Sequence, residues 1–440
     1  MSDEIIRPRG LAVPSTRLAR LARFGGMAGG LAGNAAWGAA RRIAAGERPS
    51  LGDVLLTPAN AQRIARDLAH LRGAAMKMGQ LLSMETGDFL PREITDTLAR
   101  LRADAQHMPP KQLRAVLDRR WGRGWLSRFE SFEPRPMAAA SIGQVHRART
   151  RDGRDLAIKI QYPGVRQSID SDVANMATLI RYSGAVPETL DLGPLIEEGR
   201  RQLHEEADYA REGAQLRRFH ALLEDDERFA VPRLHEDLTT EDVLAMDYLP
   251  GRPIEAAEDA PQAVRDRIVS ALLDLALREL LEFRLMQTDP NFANFRWDAE
   301  TGRIVLLDFG AVREIPEAFA EGYRRLMRAA LEDDLSAIRT AMLDLGFFDR
   351  DAFARREGDI MAMVEAGLQP LRAGGAYDFG DDALARRLRD DGMRLIEDRS
   401  VWHAPPPDAL FVQRKMSGMY ALANRLRART DIRALIEPRL

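Results

Sequence analysis

Residues 286–312 read M-Q-T-D-P-N-F-A-N-F-R-W-D-A-E-T-G-R-I-V-L-L-D-F-G-A-V, and the rest of the chain is best read outward from them. Asp289 and Asn294 lie five positions apart on a loop interrupted by Pro290. The apolar run Ile304-Val305-Leu306-Leu307 has the pattern of a buried strand, and it ends by presenting a carboxylate in Asp308-Phe309-Gly310. Turn chemistry accounts for either fragment alone, since Asp-Pro-Asn caps a helix end and Asp-Phe-Gly turns out of a strand. Two carboxylates and an amide in this order, one short hairpin apart, point instead to a metal-bound phosphate. Asn294 and Asp308 are then the metal ligands, and Asp289 orients the attacked oxygen.

The spacing is that of the kinase catalytic loop H-R-D-x-x-x-x-N followed by D-F-G. Gln287-Thr288 stands where His-Arg would be, so the Arg that reads a phosphorylated activation loop is missing. Upstream, Leu156-Ala157-Ile158-Lys159-Ile160 reads as a strand whose Lys159 would pair with the α- and β-phosphates of ATP. Before it, Ala138, Ala139, Ala140, Ser141, Ile142, Gly143 and Gln144 occupy the place of a Gly-rich phosphate loop. Backbone N–H groups there can cap phosphates, but the added Cβ atoms limit how closely the loop folds over a nucleotide. His146 reads as a packed strand residue.

A phosphate-binding Lys on a strand needs an acid to hold it. Leu192–Glu224 reads as one long helix rich in acids; Asp208 and Glu212 share a face, while Glu206 points elsewhere. Strands are expected near Arg233–Leu238 and Val243–Tyr248, followed by a hinge around Met246 whose backbone would meet an adenine edge. Ala263–Phe283 has strong helical periodicity and runs straight into the catalytic loop. After Gly310 the chain enters a helix by Pro316, with no room for a long activation segment and no A-P-E. Tyr323 to Leu440 is helical in pattern, broken near Gly374-Gly375 and Pro405-Pro406-Pro407.

The 440 residues have room for two or three domains, or for one large domain with extensions, and 45% hydrophobic content supplies a sizeable core. Cysteine is absent, which excludes disulfides, thiolate metal sites and Cys nucleophiles. Residues 1–50 carry eight Arg and no Lys against Asp3, Glu4 and Glu47, so the remainder is net acidic, unlike a nucleic-acid-binding body. Phe24 to Ala40 is uncharged, with Gly25, Gly29 and Gly33 every fourth residue, a stripe suited to close helix contact in lipid and to homodimer formation through this segment. It is short and weakly hydrophobic for a spanning helix, and a Gly/Ala linker or a soluble helix packed tightly on the body fits it equally well. From Pro58 to Leu101 the pattern is helical and contains Lys77-Met78-Gly79-Gln80, where Lys77 and Gln80 share a face beside a bare Gly79.

These motifs resemble the UbiB family of atypical protein-kinase-like proteins, also called the AarF or ADCK group, and most of all its branch tied to ubiquinone biosynthesis. Likeness extends from Val13-Pro14-Ser15-Thr16-Arg17 to Arg414-Lys415-Met416-Ser417-Gly418. It includes the K-x-G-Q motif at Lys77, Gly79 and Gln80, the alanine-rich loop at Ala138 to Gln144, and the E-x-D motif at Glu206 and Asp208. The kinase elements fall on Lys159, Glu212, Asp289, Asn294 and Asp308.

The resemblance implies an α+β, bilobal protein-kinase-like fold with a small β-rich N-lobe, a helical C-lobe and an N-terminal helical extension over the cleft. It divides the chain into a basic membrane-association segment (1–50), the helical extension (51–132), the N-lobe (133–252) and the C-lobe (253–440). It implies ATP and Mg²⁺ as cofactors and an ATPase or small-molecule kinase that supports ubiquinone biosynthesis. Membrane lipid, prenyl-quinone precursors and other ubiquinone-biosynthesis proteins are the implied partners, at a cytoplasmic site peripheral to a bacterial inner membrane. Lys159 is expected to pair with Glu212, and Lys77 with Glu206 and Asp208. The alternatives are a protein kinase acting in trans and a nucleotide-gated module that binds lipid or quinone precursors.

Overall fold

A computed structural model describes residues 108–140, 142–182, 193–372, 374–397 and 405–440. Lys77, Gln80, Ser141 and the 24–40 stretch lie outside them. The chain divides into two compact units. One takes the described residues up to Ala214 together with Arg233–Tyr248; the other takes Gln215–Pro232 and Leu249–Leu440.

The first unit is built on an antiparallel sheet of β1 (Phe129–Phe132), β3 (Gly143–Thr150), β4 (Asp155–Gln161) and β6 (Val243–Asp247), in that order, with β2 (Ala138–Ala139) paired to β3. Strand periodicity sorts β4 into two faces. Leu156, Ile158 and Ile160 join Leu113, Leu117 and Trp121 of α1 (Pro110–Trp121), with Trp125 and Phe129, in one apolar cluster. The opposite face carries Lys159 and Gln161, both buried. Helices α2 (Val165–Tyr182) and α3 (Gly193–Glu206) follow, then α4 (Tyr209–Leu222).

The expected long helix over 192–224 is therefore two helices. The break falls at Ala207 and Asp208, where the Asp208 carboxylate accepts from the Arg211 backbone N–H at 3.0 Å and caps α4. Asp208 is thus a capping residue ahead of the helix that carries Glu212. The expected strand at 233–238 is likewise reduced to a single bridge, between Leu234 and Met246.

In the second unit, α5 (Gln262–Leu281) is buried along most of its length, and Leu280 and Leu281 pack with Met286, Tyr323 and Val412. Two small sheets are built from strands before and after it in sequence. One runs β5 (Phe229–Ala230), β10 (Ile304–Leu306), β9 (Phe295–Trp297), β7 (Arg252–Pro253); the other pairs β8 (Leu285–Gln287) with β11 (Val312–Glu314). Thereafter the unit is mainly helical: α6 (Glu317–Leu331), α7 (Leu335–Asp344), α8 (Glu357–Gly367), α9 (Ala383–Glu397) and α10 (Pro407–Arg425), with shorter helical turns between them. No described helix is long and apolar enough to cross a membrane.

Candidate active site

On β4, Lys159 is opposite Val145 of β3 and Leu244 of β6, so neighbouring strands fix its backbone on both sides. Its ammonium donates to both oxygens of Glu212, at 2.8 and 2.9 Å. The two side chains are 10% and 2% exposed, and Tyr209 places its ring 5.2 Å from the same ammonium. Charges this shielded persist only when paired, and this contact supplies each with an opposite charge. Glu206 ends α3, one residue before the break.

The alanine-rich segment is a hairpin rather than an open loop. Ala138 and Ala139 pair with Val145 and Gln144, and Ala140 N–H donates to Gly143 O at 2.9 Å. Gly143 is required for a steric reason: a Cβ would stand 2.5 Å from Ile160 O and 2.8 Å from the Tyr209 hydroxyl. Ile142 and Gln144 face inward at 1% and 0% exposure. The Gln144 amide accepts from Met108 N–H at 2.8 Å and donates to His146 Nε2 at 2.7 Å, which leaves His146 Nδ1–H to donate to Glu133 O. What the hairpin leaves exposed is Ala138 and Ala139. Met246 is opposite Ala157 in the ladder, bridged to Leu234 on its other side and 5% exposed, so its side chain is turned inward and its backbone is held within the sheet.

In the second unit the sequence brings Asp289, Asn294 and Asp308 to strand ends. Phe295 pairs with Leu306, and Leu307 N–H donates to Asn294 O at 3.0 Å, so Asn294 and Asp308 flank the same end of the β9–β10 ladder. Gln287 pairs with Val312, and Thr288 donates from both N–H (3.1 Å) and Oγ1 (2.7 Å) to Ala311 O, which sets Asp289 beside the Asp-Phe-Gly turn. Within that turn Asp308 Oδ1 accepts from Gly310 N–H at 2.9 Å, and Phe309 is buried against Phe219 with ring centroids 5.0 Å apart.

Asn294 Nδ2 is directed at Asp289, 3.2 Å from its backbone O and 3.3 Å from Oδ2. The amide oxygen is the atom of Asn294 that could take a cation. An amide oxygen beside a carboxylate is an all-oxygen donor set, the chemistry that Mg²⁺ takes. Among the described residues no cluster of three or more His, Asp or Glu offers an alternative cation site.

Two contacts have no counterpart in the sequence reading. Arg414 Nη2 lies 3.1 Å from Asp289 Oδ1. Its neighbour Lys415 makes a 3.0 Å ion pair with Glu279 of α5, their side chains 2% and 1% exposed. A charged residue on each of two otherwise apolar helix faces was the available signal, but sequence spacing does not pair positions so far apart.

A model of the ABC1 atypical kinase-like domain matches residues 100–342 of the chain. The chain is 38% identical over 436 residues to the atypical kinase COQ8B, mitochondrial, of Rattus norvegicus, covering 98% of this chain and 82% of that one. It is 35% identical over 421 residues to the atypical kinase COQ8, mitochondrial, of Saccharomyces cerevisiae, covering 95% and 83%. Among solved structures, the Rv3197–erythromycin complex from Mycobacterium tuberculosis matches with a TM-score of 0.63 at 27% identity, over 85% of this chain and 93% of that one.

Proposed function

Because the chain belongs to the ABC1 atypical kinase-like family, the UbiB/ADCK group that its motifs resemble, we propose that it is an ATP- and Mg²⁺-dependent atypical kinase or ATPase supporting ubiquinone biosynthesis at a membrane surface. Family membership makes it a kinase-like phosphotransferase or ATPase. The observation that carries the nucleotide reading is the buried, doubly hydrogen-bonded Lys159–Glu212 pair. A phosphate-gripping Lys needs a fixed counter-charge to keep its ammonium in place while a nucleotide arrives.

On this reading Lys159 grips the α- and β-phosphates, and Asn294 and Asp308 hold the ion. Bound there, Mg²⁺ would neutralise charge on the β- and γ-phosphates. Asp289 accepts a hydrogen bond from the attacking water or hydroxyl and sets its approach. Only Ala311, β11, Ile315 and Pro316 separate Gly310 from α6, which leaves no extended segment to seat a protein substrate. That favours water or a small hydroxyl acceptor over a protein. Prenyl-quinone precursors and membrane lipid are the ligands in view, with peripheral membrane association.

The test is ATP hydrolysis by the purified chain, with and without anionic liposomes and a quinone-precursor phenol. Asp308→Asn should lower turnover by about a hundredfold or more, because catalysis here is mostly positioning and charge stabilisation. Turnover by that variant at the wild-type rate, or no binding of Mg-nucleotide by the wild type, refutes the proposal.

A further inference from the structure

Helix α10 is more than a hundred positions from the catalytic loop in sequence, yet three of its residues meet that loop or its support. Arg414 reaches Asp289 Oδ1 at 3.1 Å, with 10% and 18% of the two side chains exposed. Lys415, paired to Glu279, also points at Gln287 Oε1 at 3.4 Å, a long contact. One turn on, Gly418 abuts Pro290 so closely that a Cβ would stand 2.1 Å from the proline Cβ. Gln287, Asp289 and Pro290 are thus each touched from one helix.

The loop cannot supply these contacts itself. Between Asp289 and Asn294 it reads Pro290-Asn291-Phe292-Ala293, and Gln287-Thr288 precede it, so no cation occurs in the segment. Asp289 Oδ2 faces Asn294 Nδ2 and Oδ1 faces Arg414, so donors on both sides fix the plane of the carboxylate. A shielded Arg–Asp pair is a weak source of stability, since desolvation offsets much of the attraction and an apolar pair would pack as well.

We infer that Arg414 is a positioning residue for Asp289. It holds the carboxylate so that its remaining lone pairs face the phosphoryl acceptor, while Lys415 and Gly418 set the depth at which α10 lies against the loop. The inference rests on the proposed phosphoryl transfer.

The experiment compares Mg-ATP turnover, Mg-ATP affinity and thermal midpoint of the full chain for wild type, Arg414→Ala and Arg414→Lys. Arg414→Ala should lower kcat by about ten- to a hundredfold with the nucleotide Kd changed less than about twofold, and Arg414→Lys should recover most of that loss. An unchanged kcat overturns the inference. So does a parallel fall in kcat, affinity and midpoint that Lys does not recover, which is the behaviour of a strut. If the wild type turns over no ATP, the proposed function fails, and the contact is decided by Asp289→Asn, Arg414→Gln and their combination. Midpoint shifts that do not add support coupling of the two side chains, and additive shifts overturn it.

Discussion

Lys159 illustrates at the residue scale how a proposed function and stability would share one contact. Its replacement by Met takes the bonded ammonium away from a Glu212 carboxylate that is 1% exposed, and breaking a buried ion pair from one side costs about 3–5 kcal/mol. Lost turnover in such a variant therefore has two causes. Pairing Lys159→Met with Glu212→Leu should recover most of the stability and none of the activity, as read by urea unfolding beside ATP hydrolysis. If the double variant is as unstable as the single one, the pair is not what the fold depends on here. Gly143 carries a related lesson. It reads as the last glycine of a phosphate loop, yet its place is set by Ile160 O and the Tyr209 hydroxyl, which leave no room for a Cβ.

At the scale of elements, α5 and α10 are joined by a charged pair inside an apolar interface. Burial pushes the Glu279 carboxyl above its ordinary value, with the Lys415 ammonium acting against that rise. A carboxyl raised in the folded state holds its proton to higher pH than it does unfolded. Folding therefore loses stability as pH climbs from the ordinary carboxylate range toward the raised value. Lys415→Met removes the opposing charge and should steepen this loss. The variant's thermal midpoint should lie closer to wild type at about pH 5 than at about pH 8. Parallel midpoint curves for the two proteins would sink the argument. Helix boundaries belong to the same scale. The acid-rich stretch after Leu192 has helical periodicity throughout, and only the Asp208 cap shows why it breaks before Tyr209.

For the molecule as a whole, one charge network draws together parts of the second unit that are distant in sequence. Asp226 pairs with Arg228 at 2.7 Å and Arg278 at 2.6 Å, and Arg228 and Arg439 both bond Asp274 on α5. The Arg228 hydrogen bond, working against burial and aided by Arg278, lowers the Asp226 carboxyl to about 2. A depressed carboxyl contributes stability that is present above its ordinary value near 3.8 and is lost as pH falls toward about 2. With the side chain 13% exposed, that contribution is on the order of 2 kcal/mol. Asp226→Asn should lower the thermal midpoint at neutral pH and flatten its acid limb below about pH 4. An acid limb identical to wild type excludes Asp226 as a source of the acid sensitivity.

The sequence by itself named the candidate residues for phosphoryl chemistry and located the strands that present them. Residues 286–312 contain their own hairpin, and Leu156–Ile160 alternates between two faces, so local periodicity sufficed. It also named Lys159 and three candidate acids. Only the tertiary structure decided which acid meets the lysine, why Gly143 is glycine, and that Arg414 and Lys415 stand behind the loop that carries Asp289. The reason is physical: helix and strand periods record which face a residue occupies, whereas partners 53 or 125 positions apart are chosen by packing, which no local period encodes.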